Sequence, residues 1–241
     1  MKKRIKVFLL LVWSGTFQVQ GQTITGNFTW DAMHLPGTST VGIVVSDTLA
    51  PEPFRVRPLI VPAGLAVSGL LVQGKISRQL NRRVESRYPG YRTNADDYLL
   101  FAPVALGLGL SVAGVEGRHP LGEQIVLAII SGLASQGVTQ TIKLIAKYPR
   151  PDGTTYDAFP SGHTTGAFTS ATLLHKEYGH RSVWYSVGGY SVASGVGALR
   201  IINNRHWLSD VLFGAGVGIG ATEVVYMAYP WVKRKLKRRK K

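Results

Sequence analysis

Three short stretches decide how this chain folds: KLIAKYPRP at Lys143–Pro151, PSGH at Pro160–His163 and LRIINNRHWLSD at Leu199–Asp210. They thread Lys143, Arg150, Arg200, His163, His206 and Asp210 through otherwise apolar sequence. Ionisable groups on apolar elements need partners, and these six are placed to find one another or a shared ligand. Arginine offers a planar fork that suits phosphate oxygens, and lysine adds a point charge. Pro151 fixes the turn that aims Arg150. Ser161 and Gly162 stand where a helix should begin, and such a start offers free N–H groups and the positive end of a dipole to an anion. His206 and Asp210 are four apart and would share a helix face. A carboxylate on one ring nitrogen frees the other to attack. His163 could then protonate a leaving oxygen.

Working outward, the flanking sequence is that of a membrane protein. Charged residues make up only 17% of the 241, against a usual value of about 25%. Glycine is abundant, with 28 residues. Apolar helices are expected at Tyr98–Val115, Ile125–Ile142, about Ser161–Leu174, Val183–Leu199 and Trp207–Tyr229. Gln136, Thr139 and Gln140 should face neighbouring helices, and Gly214, Gly216, Gly218 and Gly220 should allow close helix approach. A polar turn is expected at His175–Arg181. The chain has no cysteine, which excludes disulfides, thiolate metal sites and a cysteine nucleophile. No carboxylate set suited to Mg²⁺ or Ca²⁺ accompanies the central residues.

The net charge of +15 raises nucleic acid as a partner, but its location argues otherwise. Twelve of the 28 basic residues lie in Lys2–Lys6 and Lys233–Lys241. Basic clusters flanking apolar segments are a signature of membrane topology. Residues 1–22 read as a secretory signal, with an uncleaved anchor as the alternative. Residues 23–97 read as an exported segment whose apolar piece, 58–74, is interrupted by Pro62 and Gly64 and associates with the membrane without crossing it. A translocation-free start followed by six spans is the competing topology. The basic run 75–93 reads as a solvated loop or a surface attracting anionic head groups. Residues 98–231 form the helical domain, and 232–241 a basic cytoplasmic tail. Counting helices back from that tail puts all six polar residues at the exported face.

K-x6-RP, PSGH and R-x5-H-x3-D, in this order, resemble the three-part signature of the type 2 phosphatidic acid phosphatase (PAP2) superfamily, which includes vanadium haloperoxidases. The resemblance covers residues 98–230. It implies an all-α, polytopic membrane bundle and metal-independent, cofactor-free hydrolysis of a phosphate ester. It assigns phosphate binding to Lys143, Arg150, Ser161, Gly162 and Arg200. It makes His163 the general acid, His206 the residue that forms a phosphohistidine, and Asp210 its orienting carboxylate. The signature usually has serine where Leu199 stands, which removes one small polar contact. The signal-like start, FPSGHTTGAF and NNRHWLSD together resemble exported PAP2 proteins of Bacteroides-type bacteria, some of which remove phosphate from lipid A. The implied partner is a phosphorylated membrane lipid at the outer face of the inner membrane. Lipid A 1- or 4′-phosphate is favoured, and undecaprenyl pyrophosphate, phosphatidylglycerol phosphate and phosphatidate are alternatives. A vanadium haloperoxidase and a non-enzymatic binder of anionic lipid are the readings from other classes.

Overall fold

The computed structural model describes residues 56–239, so the signal-like start and most of the segment up to residue 57 lie outside the described residues. Every regular element among the described residues is helical. A short 3₁₀ turn, Arg57–Leu59, leads into α1 (Ile60–Leu71), α2 (Lys75–Arg87), α3 (Ala95–Leu99), α4 (Ala102–Val112), α5 (Leu121–Ala146), α6 (Gly162–Tyr178), α7 (Val183–Ile202) and α8 (Leu208–Arg239).

Three stretches are long and apolar enough to cross a membrane: Ala95–Val112, Leu121–Ala146 and Leu208–Lys235. At 26 residues, α5 is about 39 Å long, more than a hydrocarbon core of about 30 Å. It ends where Lys147 takes a left-handed conformation (φ 44°) ahead of Pro149 and Pro151, which cannot continue a helix. With these helices the chain is a multi-pass membrane protein.

The bundle is built around α6. Its buried residues are mostly small or hydroxylated, including Thr165, Ala167, Thr169, Ser170 and Ala171. Small side chains let neighbouring helices approach, and their hydroxyls satisfy one another across the contacts. Thr139 of α5 donates to Thr165 at 3.2 Å, Thr169 donates to Ser135 of α5 at 3.0 Å, and Ser170 accepts from the Val104 N–H of α4 at 2.9 Å. Gln136 reaches the Gly162 carbonyl at 3.1 Å, so Gln136 and Thr139 face a neighbour as expected, whereas Gln140 is exposed. The glycines of α8 divide into two faces. A Cβ on Gly214 or Gly218 would stand 2.7 or 2.4 Å from the Ser161 or Thr165 carbonyl oxygen of the α6 side. On Gly216 it would stand 2.6 Å from the Pro62 carbonyl oxygen of α1.

Four expectations need correcting. The helix expected to stop near Leu174 runs to Tyr178 through most of the expected polar turn. Its charges are internally paired: Lys176 with Glu223 at 2.6 Å, and Glu177 with His119 at 2.8 Å and the Tyr226 hydroxyl at 2.6 Å. The stretch 75–93 is not a plain loop. Leu80 and Val84 turn inward from α2 while Arg78, Arg82, Arg83 and Arg87 are exposed, an amphipathic pattern hidden by the density of charge. The helix expected over Tyr98–Val115 is split into α3 and α4 by a break at Leu100–Phe101. Finally, His206 precedes α8 instead of sharing its face with Asp210. The Asp210 carboxylate accepts the Trp207 N–H at 2.8 Å and ties down the loop that enters the helix.

In the uncertain segment 58–74, α1 is 12 residues, or about 18 Å, too short to cross alone. It lies antiparallel along α8, with Gly69 against Ser209 and Phe213 and Pro62 against Gly216 and Gly220. It then bends by 82° into α2, the form of a broken span or a re-entrant segment.

Candidate active site

Four helix ends meet at one end of the bundle: the C-termini of α5 and α7 and the N-termini of α6 and α8. There they enclose a cavity of about 480 Å³. Lys143, Arg150, Gly162, His163, Arg200 and His206 line it, with Leu100, Phe101, Gln136, Gln140 and Asp157. Six of the eight residues singled out in the sequence are therefore on its wall. Asp210 lies behind His206 and is fully buried. Ser161 is also fully buried. Its hydroxyl accepts from Thr164 as the N-cap of α6, so it shapes the helix start and does not line the cavity. Gly162 and His163 begin that helix, and their N–H groups have no intrahelical acceptor. Leu199 is half-buried and off the wall.

The cations are held differently. Arg150 makes a two-pronged contact with Asp157, Nε to Oδ1 at 2.8 Å and Nη2 to Oδ2 at 3.0 Å. Lys143 donates to the Asp157 carbonyl oxygen and stands 3.9 Å from its carboxylate. Burial works to raise the Asp157 carboxyl, but the Thr155 hydroxyl, Arg150 and Lys143 outweigh it and hold it below the usual carboxylate range. Asp157 thus presents an anion to two cations of the cavity. Arg200 is buried, with Nη1 on Asp96 at 2.6 Å, while Asn203 donates to the other Asp96 oxygen at 3.1 Å. The Arg200 Nε has no partner among the described residues.

The histidines have different surroundings. His206 Nδ1 lies 2.8 Å from the Ala158 carbonyl oxygen and 3.5 Å from Asp210. A carbonyl can only accept, so Nδ1 carries the proton and Nε2 keeps its lone pair. The backbone carbonyl, not Asp210, is the nearer group fixing the tautomer. Burial pushes the His206 imidazole down to about 4 against the opposing pull of Asp210, with Arg200 and Lys143 adding to the lowering. His163 Nε2 stands 2.6 Å from Asp97 Oδ1, in a contact open to water.

Asp96, Asp97, Asp157 and the Ala158 carbonyl are the groups that sequence reasoning missed. Asp96 and Asp97 were visible only as an acidic pair at the end of a basic run, far in sequence from the residues they hold. Ligand atoms of Asp96, Asp97 and His163 lie within 4.8 Å of one another, near enough for a metal ion. The bonds already made there, Arg200 and Asn203 on Asp96 and His163 on Asp97, are those of an ion-pair network instead.

Over 151 residues the chain is 42% identical to a lipid A 1-phosphatase of Porphyromonas gingivalis, an alignment covering 59% of this chain. The chain spans 33% of that relative's length. A transmembrane PAP2-type phosphatidylglycerolphosphate phosphatase from Bacillus subtilis superposes with a TM-score of 0.52 at 17% identity, over 75% of this chain and 99% of that one. At that identity the superposition speaks for the fold. The PAP2 superfamily profile matches residues 124–234, an interval that contains all three motifs.

Proposed function

We propose that this protein is a membrane lipid phosphatase that removes a phosphate monoester through a phosphohistidine at His206. The observation that carries this reading is the cavity in which Lys143, Arg150 and Arg200 meet the unprotonated Nε2 of His206. The phosphate displaces Asp157 from Arg150 and Lys143, takes the Arg200 guanidinium and the first N–H groups of α6, and presents phosphorus to His206. The Nε2 lone pair forms the P–N bond as the P–O ester bond breaks. Its electrons go to the leaving oxygen, which takes a proton from His163. Water then attacks phosphorus, His163 takes a proton from it, and the P–N bond breaks to release inorganic phosphate. The cations carry the charge of the transferring group, so no metal is required.

The 42% identity to a lipid A 1-phosphatase favours a glycolipid phosphate as substrate. The basic end of α8 lies opposite the site, and on the positive-inside tendency this puts the cavity at the periplasmic face of the inner membrane. Residues 98–231 act as the catalytic domain in this reading.

Purified protein in detergent micelles, given lipid A or phosphatidate, should release inorganic phosphate, and EDTA should leave the rate intact. A folded protein that releases none from either lipid, while binding them, would make it an anionic-lipid binder. Strict loss in EDTA restored by Mg²⁺ would overturn the metal-free mechanism.

A further inference from the structure

A second cavity, of about 440 Å³, adjoins the first, and Arg150, His163 and Arg200 line both. The two differ in chemistry. Leu100 and Phe101 line the first, whereas no apolar side chain lines the second. One wall of the second is fixed by Asn203, whose amide accepts the Thr93 N–H at 3.0 Å and donates to the Thr93 carbonyl oxygen at 2.9 Å. Its remaining groups have capacity to spare. Arg92 gives one guanidinium nitrogen to the Tyr91 carbonyl at 2.8 Å, and Arg205 gives one to Asp152 at 3.3 Å. Each guanidinium has five N–H donors. Asn94 adds an exposed amide and Asp97 a second carboxylate oxygen.

Donors and acceptors are thus mixed around one chamber. The carboxylates of Asp96 and Asp97 give this wall acceptors beside its guanidinium and amide donors. Hydroxyl groups both donate and accept, and a ring carrying several of them suits such a wall. The position of His163 connects this chamber to the reaction. His163 borders both cavities, so a leaving group that it protonates has room to extend into the second.

We propose that the second cavity binds the hydroxylated sugar ring that carries the scissile phosphate, with Arg92, Asn94 and Arg205 hydrogen-bonding its hydroxyls. The acyl chains leave past Leu100 and Phe101. This rests on the phosphatase reading of the first cavity and assigns residues to its glycolipid preference.

The test compares two substrates on the full chain in micelles: a diacylated glucosamine 1-phosphate and a phosphatidate with matched acyl chains. Both present one phosphate to the same cations, so general electrostatic effects cancel in the ratio of their kcat/KM values. The combined variant Arg92→Ala, Asn94→Ala, Arg205→Ala should lower the glycolipid-to-phosphatidate ratio about tenfold or more, the scale of one or two lost polar contacts. Asn94→Ala alone, at an exposed position, should lower it about threefold and provides the test if the combined variant does not fold. An unchanged ratio overturns the proposal, whether both rates fall together or neither falls. So does a wild-type protein that hydrolyses phosphatidate but not the glycolipid. A wild-type protein that hydrolyses neither overturns the phosphatase reading itself.

Discussion

Two histidine–carboxylate pairs border the proposed reaction, and they differ in burial. In His206–Asp210 the groups stand 3.5 Å apart with side chains 2% and 0% exposed. In His163–Asp97 they stand 2.6 Å apart with side chains 34% and 49% exposed. The first pair is buried, and its imidazole Nδ1–H is donated to a backbone carbonyl. Much of the Asp210 capacity goes to the Trp207 N–H and the Ser209 hydroxyl. Such a site keeps the imidazole neutral and its Nε2 lone pair free, as an attacking nitrogen needs. In the second pair burial and Arg200 hold the imidazole below its ordinary range against the opposing pull of Asp97, while contact with solvent lets it exchange protons. The same two side-chain types therefore suit a nucleophile in one place and a general acid in the other, and burial makes the difference.

The sharpest way to break this assignment is to remove His206. His206→Ala should lose activity to background, on the order of 10⁴–10⁶-fold, since no other group forms the covalent intermediate. Rapid quench with ³²P-labelled lipid should leave base-stable, acid-labile label on the wild-type chain and none on the variant. Label persisting on His206→Ala would place the nucleophile elsewhere. Next in size is His163→Ala, expected to lose about 10²–10⁴-fold on a lipid phosphate, whose alkoxide leaves poorly without a proton. The same variant should lose far less on 4-nitrophenyl phosphate, whose leaving group needs no acid. Equal losses on both substrates would remove His163 from the acid role.

The two pairs were not equally legible in the sequence. His206 and Asp210 sit four residues apart inside one motif, so their association could be read from spacing. The helical arrangement first assumed for them was wrong, because His206 is in the entering loop and Asp210 ties that loop to α8. Asp97 is 66 residues from His163, and nothing local marks it as a partner. Only the packing of α3 against α6 and α7 brings it there. The same holds for Asp96 on Arg200. Motif spacing reports local geometry, while long-range pairing depends on how helices pack. Apolar runs located the main helices for the same local reason. The charged end of α6 was misread because Lys176 and Glu177 find partners on α8 and in the α4–α5 connection.

Asp210→Asn tests whether the carboxylate or the carbonyl governs the buried pair. Where a carboxylate alone fixes the tautomer, its amide variant costs about 10⁴-fold. Here Ala158 holds the Nδ1 proton, so the amide should cost only the charge that steadies the imidazole as it becomes positive, about 10²-fold. A loss approaching 10⁴-fold would return the tautomer to Asp210. The size of the loss is read from kcat, with the ³²P quench showing whether the first or second step has slowed.

The smallest expected effect belongs to the exposed pair. Asp97→Asn keeps a side chain of the same size beside His163 but removes the negative charge. Water reaches this site and screens it, so the loss at neutral pH should be about tenfold. The pH profile carries the argument. A carboxylate at hydrogen-bond distance favours the protonated imidazole, and His163 must be protonated to act in the first step. Without Asp97 the imidazolium gives up its proton at lower pH. The alkaline limb of kcat should therefore move toward acid, leaving the variant closest to wild type at low pH and furthest from it at high pH. His206, held neutral by burial down to about pH 4, should contribute nothing to that limb. A uniform loss across the pH range, with the limb in place, would mean that Asp97 only positions the ring, and the contrast between the two pairs would then lie in geometry and not in charge.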